Sequence, residues 1–182
     1  MKLFRIINKL SCLARTGWML RGIPPYIAET VTMHLFTSAI IALKICDELK
    51  RKGIVINPIR SAMIALVHDI GEAHTGDMIS SISNEMNNIK LSIELEFVEK
   101  EIDGETLKDL YKEFIDQKTL EAQIAKLSDY LATYLQSIIY KNLGFDVEGI
   151  KRSSLDKAIS LSRRTGIYDV VESMVKEFIN SA

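Results

Sequence analysis

Apolar residues recur at helical spacing along almost the whole chain, and no segment alternates as a half-buried strand does. Leu3, Ile6, Ile7 and Leu10 predict a first helix near residues 2–14. Val31, Leu35, Ser38, Ala42, Ile45 and Leu49 form one stripe of a long helix from Glu29 to Lys52, ended by Gly53. Asn57-Pro58 starts the next, with Asn as N-cap and Pro at the first helical position; it runs to about Asp69 and stops at Gly71. Residues 83–103 and 105–116 predict acidic-faced helices broken at Asp103-Gly104. Lys118 to Asn142 predicts another long helix, ended by Gly144, and 153–164 and 167–180 predict the last two. Residues 15–27 carry Gly17, Gly22 and Pro24-Pro25 and read as a loop, and GEAHTGD (71–77) reads as a polar turn between two glycines. The expectation is an all-α fold. With no internal repeat and no long linker, one domain over 1–182 is expected.

Composition narrows what such a chain does. It has 182 residues, 47% hydrophobic and 26% charged, as an ordinary globular protein has. The 23 Lys+Arg nearly balance the 24 Asp+Glu, which argues against a polycationic nucleic-acid binder. The longest uncharged stretch near the middle, Thr30 to Leu43, is 14 residues and contains His34. A membrane span needs about 18 apolar residues, so no membrane partner is expected. Arg5 and Lys9 interrupt the N-terminal apolar run, which therefore reads as an amphipathic helix and not a secretion signal. Two cysteines, Cys12 and Cys46, with no C-x-x-C argue against a disulfide scaffold or structural zinc module and fit a reducing cytoplasm.

Three polar positions are costly where the pattern puts them. His68 and Asp69 follow each other at the end of an apolar helix (MIALVHDI). Asp129 lies beside Ala122, Ala125 and Ala132, small residues that let helices pack closely, so it is expected to point between helices. Together with His34, they put two imidazoles and two carboxylates on three helices. That donor set suits a divalent cation, histidine favouring Zn, Mn, Co or Fe and carboxylates adding charge neutralisation. The third histidine, His74, reads as a solvated loop residue. The basic segment 151–164, with five Lys/Arg against one Asp, and the acidic run around Glu94 to Glu105 read as solvated faces.

The pattern H…HD…D resembles the HD-domain superfamily of metal-dependent phosphohydrolases. The likeness extends through R-T-G-W (Arg15 to Trp18), L-R-G (20–22), A-E-T-V-T-M-H (28–34), L-V-H-D-I-G-E-x-x-x-G-D (66–77) and A-K-L-S-D (125–129). These blocks, spread over roughly residues 3–140, look like its 5′-deoxynucleotidase branch. The resemblance implies packed helices, a homodimer, one divalent cation (Mn, Co, Zn or Mg) and removal of the 5′-phosphate from deoxyribonucleoside 5′-monophosphates. It assigns the metal to His34, His68, Asp69 and Asp129, and the acidic roles at the reaction centre to Glu72 and Asp77. Either acid could orient or deprotonate the attacking water. Arg15 would grip the phosphate with its planar fork, and Trp18 would sit against the sugar, where a 2′-hydroxyl would clash.

One departure stands out. The family usually carries an acid directly before the first histidine, and here that residue is Met33, which implies a looser His34. Two other readings follow. The same site could serve another nucleotide (a triphosphate, cyclic dinucleotide or alarmone), or the chain could be a non-catalytic nucleotide-binding module.

Overall fold

The computed structural model describes residues 2–79 and 84–181. Among the described residues ten helices follow one another: α1 Lys2–Cys12, α2 Thr16–Met19, α3 Val31–Arg51, α4 Pro58–Val67, α5 Glu72–Thr75, α6 Asn84–Glu101, α7 Glu105–Asp116, α8 Leu120–Asn142, α9 Glu148–Arg164 and α10 Tyr168–Ser181. The extended pairing among them is a single antiparallel bridge, Ala14 with Thr30.

Local chemistry explains where the long helices start. The Thr30 hydroxyl accepts from Met33 N, the Asn57 side chain from Arg60 N and the Thr119 hydroxyl from Ala122 N, each satisfying an amide that has no partner within the helix. Helices α3 and α8 thus each begin two residues later than the apolar pattern predicts, because Glu29-Thr30 and Lys118-Thr119 serve as lead-in and cap. Helix α4 ends at Val67, two residues earlier than expected, and His68 is its C-cap. The α3 stripe from Val31 to Leu49 is buried at every predicted position.

The largest apolar cluster lies among α3, α4, α7, α8, α9 and α10, and α3 packs on both α4 and α8. Ile6 and Leu10 of α1 join Val31, Leu35, Ile70, Val98 and Tyr111 in a second cluster. Trp18, Ile23, Ala28, Tyr140 and Val147 form a third at the far end of α8. Candidate site residues emerge where these clusters meet.

Several expectations change. The loop 15–27 contains the one-turn α2, and the polar turn 71–77 contains the one-turn α5, whose Glu72 and Ala73 are buried. Helix α9 starts at Glu148, not 153; Gly149 sits in its first turn, where an added Cβ would lie 3.2 Å from the Arg21 guanidinium. Position 83 of the predicted helix 83–103 lies outside the described residues. Glu94 does not belong to a solvated face. It is buried, accepts from Thr75 Oγ1 at 2.6 Å and from Tyr111 Oη at 3.3 Å, and pairs with Lys90 at 3.4 Å.

Candidate metal centre and adjoining cavity

His34 lies on the first turn of α3 and is fully buried. The α3 cap and the stripe Val31-Leu35-Ser38 fix the helix register, which turns His34 toward α8. There its Nε2 stands 3.0 Å from Asp129 Oδ1. His68, at the end of α4, has Nδ1 at 2.7 Å from the Ala65 carbonyl. A carbonyl only accepts, so Nδ1 carries a proton and, in the neutral ring, Nε2 presents a bare lone pair. That lone pair faces Asp69 Oδ2 at 3.1 Å and Asp129 Oδ1 at 3.8 Å, and the atom is buried with no hydrogen-bond partner.

A lone pair aimed at two carboxylates is repulsive unless a cation or a proton lies between them. One atom each from His34, His68 and Asp129 falls within 4.8 Å of the other two, a spacing that fits a shared divalent ion. Asp69 flanks this trio through His68 and places the same oxygen 3.5 Å from Arg15 Nη1.

The electrostatics agree. Burial, then the Arg15 charge, pushes the His34 imidazole below its ordinary value, against Asp129 and Glu29; the neutral ring is the ligating form. For His68, burial opposes the charged ring, but Asp69 and Asp129 together outweigh it and raise its pKa, so a proton can take the position of a cation. Burial works against charge on Asp69 and Asp129 as well, but His68 and Arg15 on the one, Lys126 and His34 on the other, hold both below the carboxylate range.

Arg15, Trp18, Asp77 and Asp129 line one cavity of about 490 Å³ that α9 closes with Gly149, Ile150, Ser154 and Lys157. Burial opposes the Arg15 charge, but Glu29, Asp69, Asp77 and Asp129 outweigh it and lock the guanidinium on. Trp18 is only 2% exposed; its Nε1 donates to Glu29 Oε2 at 3.1 Å and its ring meets Tyr140 edge-on at 5.0 Å. Asp77 is engaged on backbone: Oδ2 accepts from Thr16 N, and its carbonyl accepts from Thr16 Oγ1 at 2.7 Å. It therefore ties the 71–77 segment to α2.

Glu72 stands apart from that cavity. It borders a second one of about 370 Å³ along α1, with Lys9, Cys12 and Leu13. Its Oε1 accepts from Lys90 Nζ at 2.7 Å, and its buried Oε2 has no hydrogen-bond partner. Burial and then Asp69 push its carboxyl up to about 9, against the pull of Lys90. His74 is exposed and stacks on Phe97 at 5.0 Å.

Sequence reasoning passed over two residues. Glu29, only 1% exposed, touches Trp18 and faces His34; its signals were its place in the 28–34 block and just before a helix start. Lys126 pairs with Asp129 Oδ2 at 2.9 Å and lies over the Phe114 and Tyr130 rings at 5.0 Å each. Its place three residues before Asp129 was the available signal. Position 33, where the acid is missing, points outward. Met33 is 55% exposed while His34 is buried, so position 33 faces away from the ligand cluster.

Comparison with known proteins gives the chain a family. A 5′-deoxynucleotidase HDDC2 from Dictyostelium discoideum is 29% identical over 158 residues, spanning 81% of this chain and 80% of that protein. A 5′-deoxynucleotidase YfbR from a Salmonella paratyphi B strain is 27% identical over 146 residues, spanning 74% and 72%. The solved structure of a conserved hypothetical protein from Pyrococcus furiosus superposes with a TM-score of 0.77 at 28% identity, covering 93% of this chain and 98% of that one. The HD domain family model matches residues 7–160. That match includes all three residues of the buried trio, and the chain belongs to the HD domain family.

Proposed function

We propose that this chain is a metal-dependent phosphohydrolase that removes the 5′-phosphate from deoxyribonucleoside 5′-monophosphates. The observation that carries the reading is the buried His34–His68–Asp129 trio, with one donor atom of each within 4.8 Å of the others, and Arg15 bridging from Asp69 to the adjoining cavity. The names of the related 5′-deoxynucleotidases support the substrate class. We assign the cation to His34, His68, Asp69 and Asp129. Its imidazole and carboxylate donors suit Mn, Co or Zn, with Mg as a further candidate. When bound, such an ion supplies an acidified water and polarises a phosphoryl oxygen.

The chain's own residues do the rest. Arg15, held charged by four carboxylates, offers its guanidinium to the phosphate. Lys126 adds a second positive charge on the same wall. Trp18, pinned through its indole nitrogen and by Tyr140, is a rigid wall for the sugar. Water adds to phosphorus as the bond to the 5′-oxygen breaks, and that oxygen leaves with a proton, giving nucleoside and inorganic phosphate. Glu72, whose buried Oε2 has no hydrogen-bond partner and whose carboxyl feels the Asp69 charge, suits the task of orienting water better than Asp77, whose Oδ2 is occupied at Thr16. A homodimer in a reducing cytoplasm completes the proposal.

Metal-stripped protein refilled with Mn, Co, Mg or Zn, assayed for phosphate release from dAMP and AMP side by side, tests it. Turnover of dAMP and not AMP is expected, lost in Asp69→Ala. Equal turnover removes Trp18 from sugar discrimination. No phosphate from either, or full activity in Asp69→Ala, refutes the proposal.

A further inference from the structure

We propose that Glu29 is a positioning residue whose one carboxylate sets both the first metal ligand and the sugar-facing wall. This rests on the reading of His34 as a metal ligand.

The backbone of Glu29 is clamped on two sides. Its N–H donates to Tyr140 Oη at 2.6 Å, its carbonyl accepts from Arg15 N at 2.9 Å, and Tyr140 Oη donates on to the Ile27 carbonyl at 3.1 Å. The side chain is thereby directed inward. Oε2 accepts from Trp18 Nε1 at 3.1 Å and lies 4.0 Å from Arg15 Nε, and Oε1 lies 3.9 Å from His34 Nδ1. One carboxylate therefore contacts or faces three side chains assigned to the site, and each meets it through a nitrogen.

A buried carboxylate is expensive, and the compensation here is partial: one indole N–H, one guanidinium at ion-pair range and the positive end of α3 two residues on. The cost is explained by His34. An imidazole that turns Nε2 to a ligand cluster keeps its proton on Nδ1, and an acid facing Nδ1 orients the ring. His34 Nδ1 is buried with no hydrogen-bond partner, and the anion paired with it is Glu29. Glu29 does from the preceding turn what Met33 cannot do from the adjacent, outward-facing position.

The consequence is coupling. Trp18 is the only tryptophan of the chain, so its emission reports the Glu29 carboxylate directly. A neutral amide at position 29 has one acceptor oxygen for the indole N–H and the imidazole N–H, and must turn its NH2 toward one of them.

The test is Co2+ binding to metal-stripped wild type and Glu29→Gln, followed by the cobalt absorption band. Trp18 emission and melting temperature are recorded alongside on the metal-free proteins. The expected result is a Co2+ affinity about 10–100-fold weaker in the variant, the usual effect of removing an orienting acid, with a shifted Trp18 emission in a folded protein. If Glu29→Gln does not fold, Glu29→Asp keeps the charge but withdraws it by one methylene. It is then expected to weaken Co2+ and move the emission in the same direction. A folded variant that binds Co2+ within twofold of wild type, with unchanged emission, overturns the inference and leaves the metal reading intact. Wild-type protein that takes up no Co2+ overturns the metal reading and this inference with it.

Discussion

Gly71 links His68-Asp69 to Glu72, and replacing it with alanine separates two opposing effects. Its backbone is right-handed helical, φ −63° and ψ −26°, so alanine fits the conformation. On conformational grounds Gly71→Ala should stabilise by about 0.4–1 kcal/mol, by restricting the unfolded chain. Packing says the reverse. A Cβ there would stand 2.7 Å from Glu94 Cβ, 2.9 Å from Glu94 Cγ and 2.9 Å from Tyr111 Oη. Carbon atoms rest at about 3.5–4.0 Å, so α5 and α6 must part by about 1 Å. Overpacking costs about 1–3 kcal/mol. The upper part applies here, because the hydrogen bonds of Glu94 to Thr75 and Tyr111 hold the same surface together. Subtracting the backbone gain leaves about 2 kcal/mol of destabilisation. For a chain of this size that lowers the melting temperature by about 4–8 °C. Thermal unfolding of metal-free Gly71→Ala followed by circular dichroism measures it. An unchanged or raised melting temperature would refute the packing argument.

Other outcomes follow from the same geometry. Met33→Asp is expected to leave Co2+ affinity within twofold of wild type and stability within about 0.5 kcal/mol, because position 33 is exposed and faces away from His34; a tenfold tighter site would show that the acid acts from there. Saturating Mn2+ or Co2+ at about 100 times its dissociation constant should stabilise the protein by about 2.7 kcal/mol, and His68→Asn should abolish that increment in a melting assay. The raised pKa of Glu72 has a definite sign. Its protonated form is favoured by folding, so the contribution is complete below the ordinary value of 4.5 and is lost as pH rises through about 9. Metal-free protein should therefore lose up to about 1.4 kcal/mol per pH unit from this group across that window. Denaturant titrations of wild type and Glu72→Gln should differ by that slope, and parallel pH profiles would count against it.

The sequence was most legible where one helix carries the whole signal. The α3 stripe, the Asn57-Pro58 start and the breaks at Gly53 and Gly144 depend on residues within a turn of each other, and the folded chain keeps them. Asp129 was legible in the same way, since its alanine neighbours mark a face that helices approach closely. Glu94 was misread for a related reason. On α6 it looks like one acid among several, and only α5 and α7, with Thr75 and Tyr111, turn that position inward. The one-turn helices α2 and α5 were hidden by their glycines, and Asp77, across 61 residues, stabilises the first of them.

What the sequence determined by itself is the helical fold class and the chemical inventory of the site: two imidazoles, four carboxylates, an arginine and an indole in motifs of fixed spacing. Periodicity and capping act over a few residues, so they can be read along a line. Only the tertiary structure decided which of these groups share a space. It gathers His34, His68 and Asp129 around one point and sets Asp69 beside it. Asp77 is spent on the backbone of α2, Glu72 borders a separate cavity, and Glu29 joins three site residues. Those outcomes depend on distances between elements far apart in the chain and on the cost of burying each charge, and neither is written in local order.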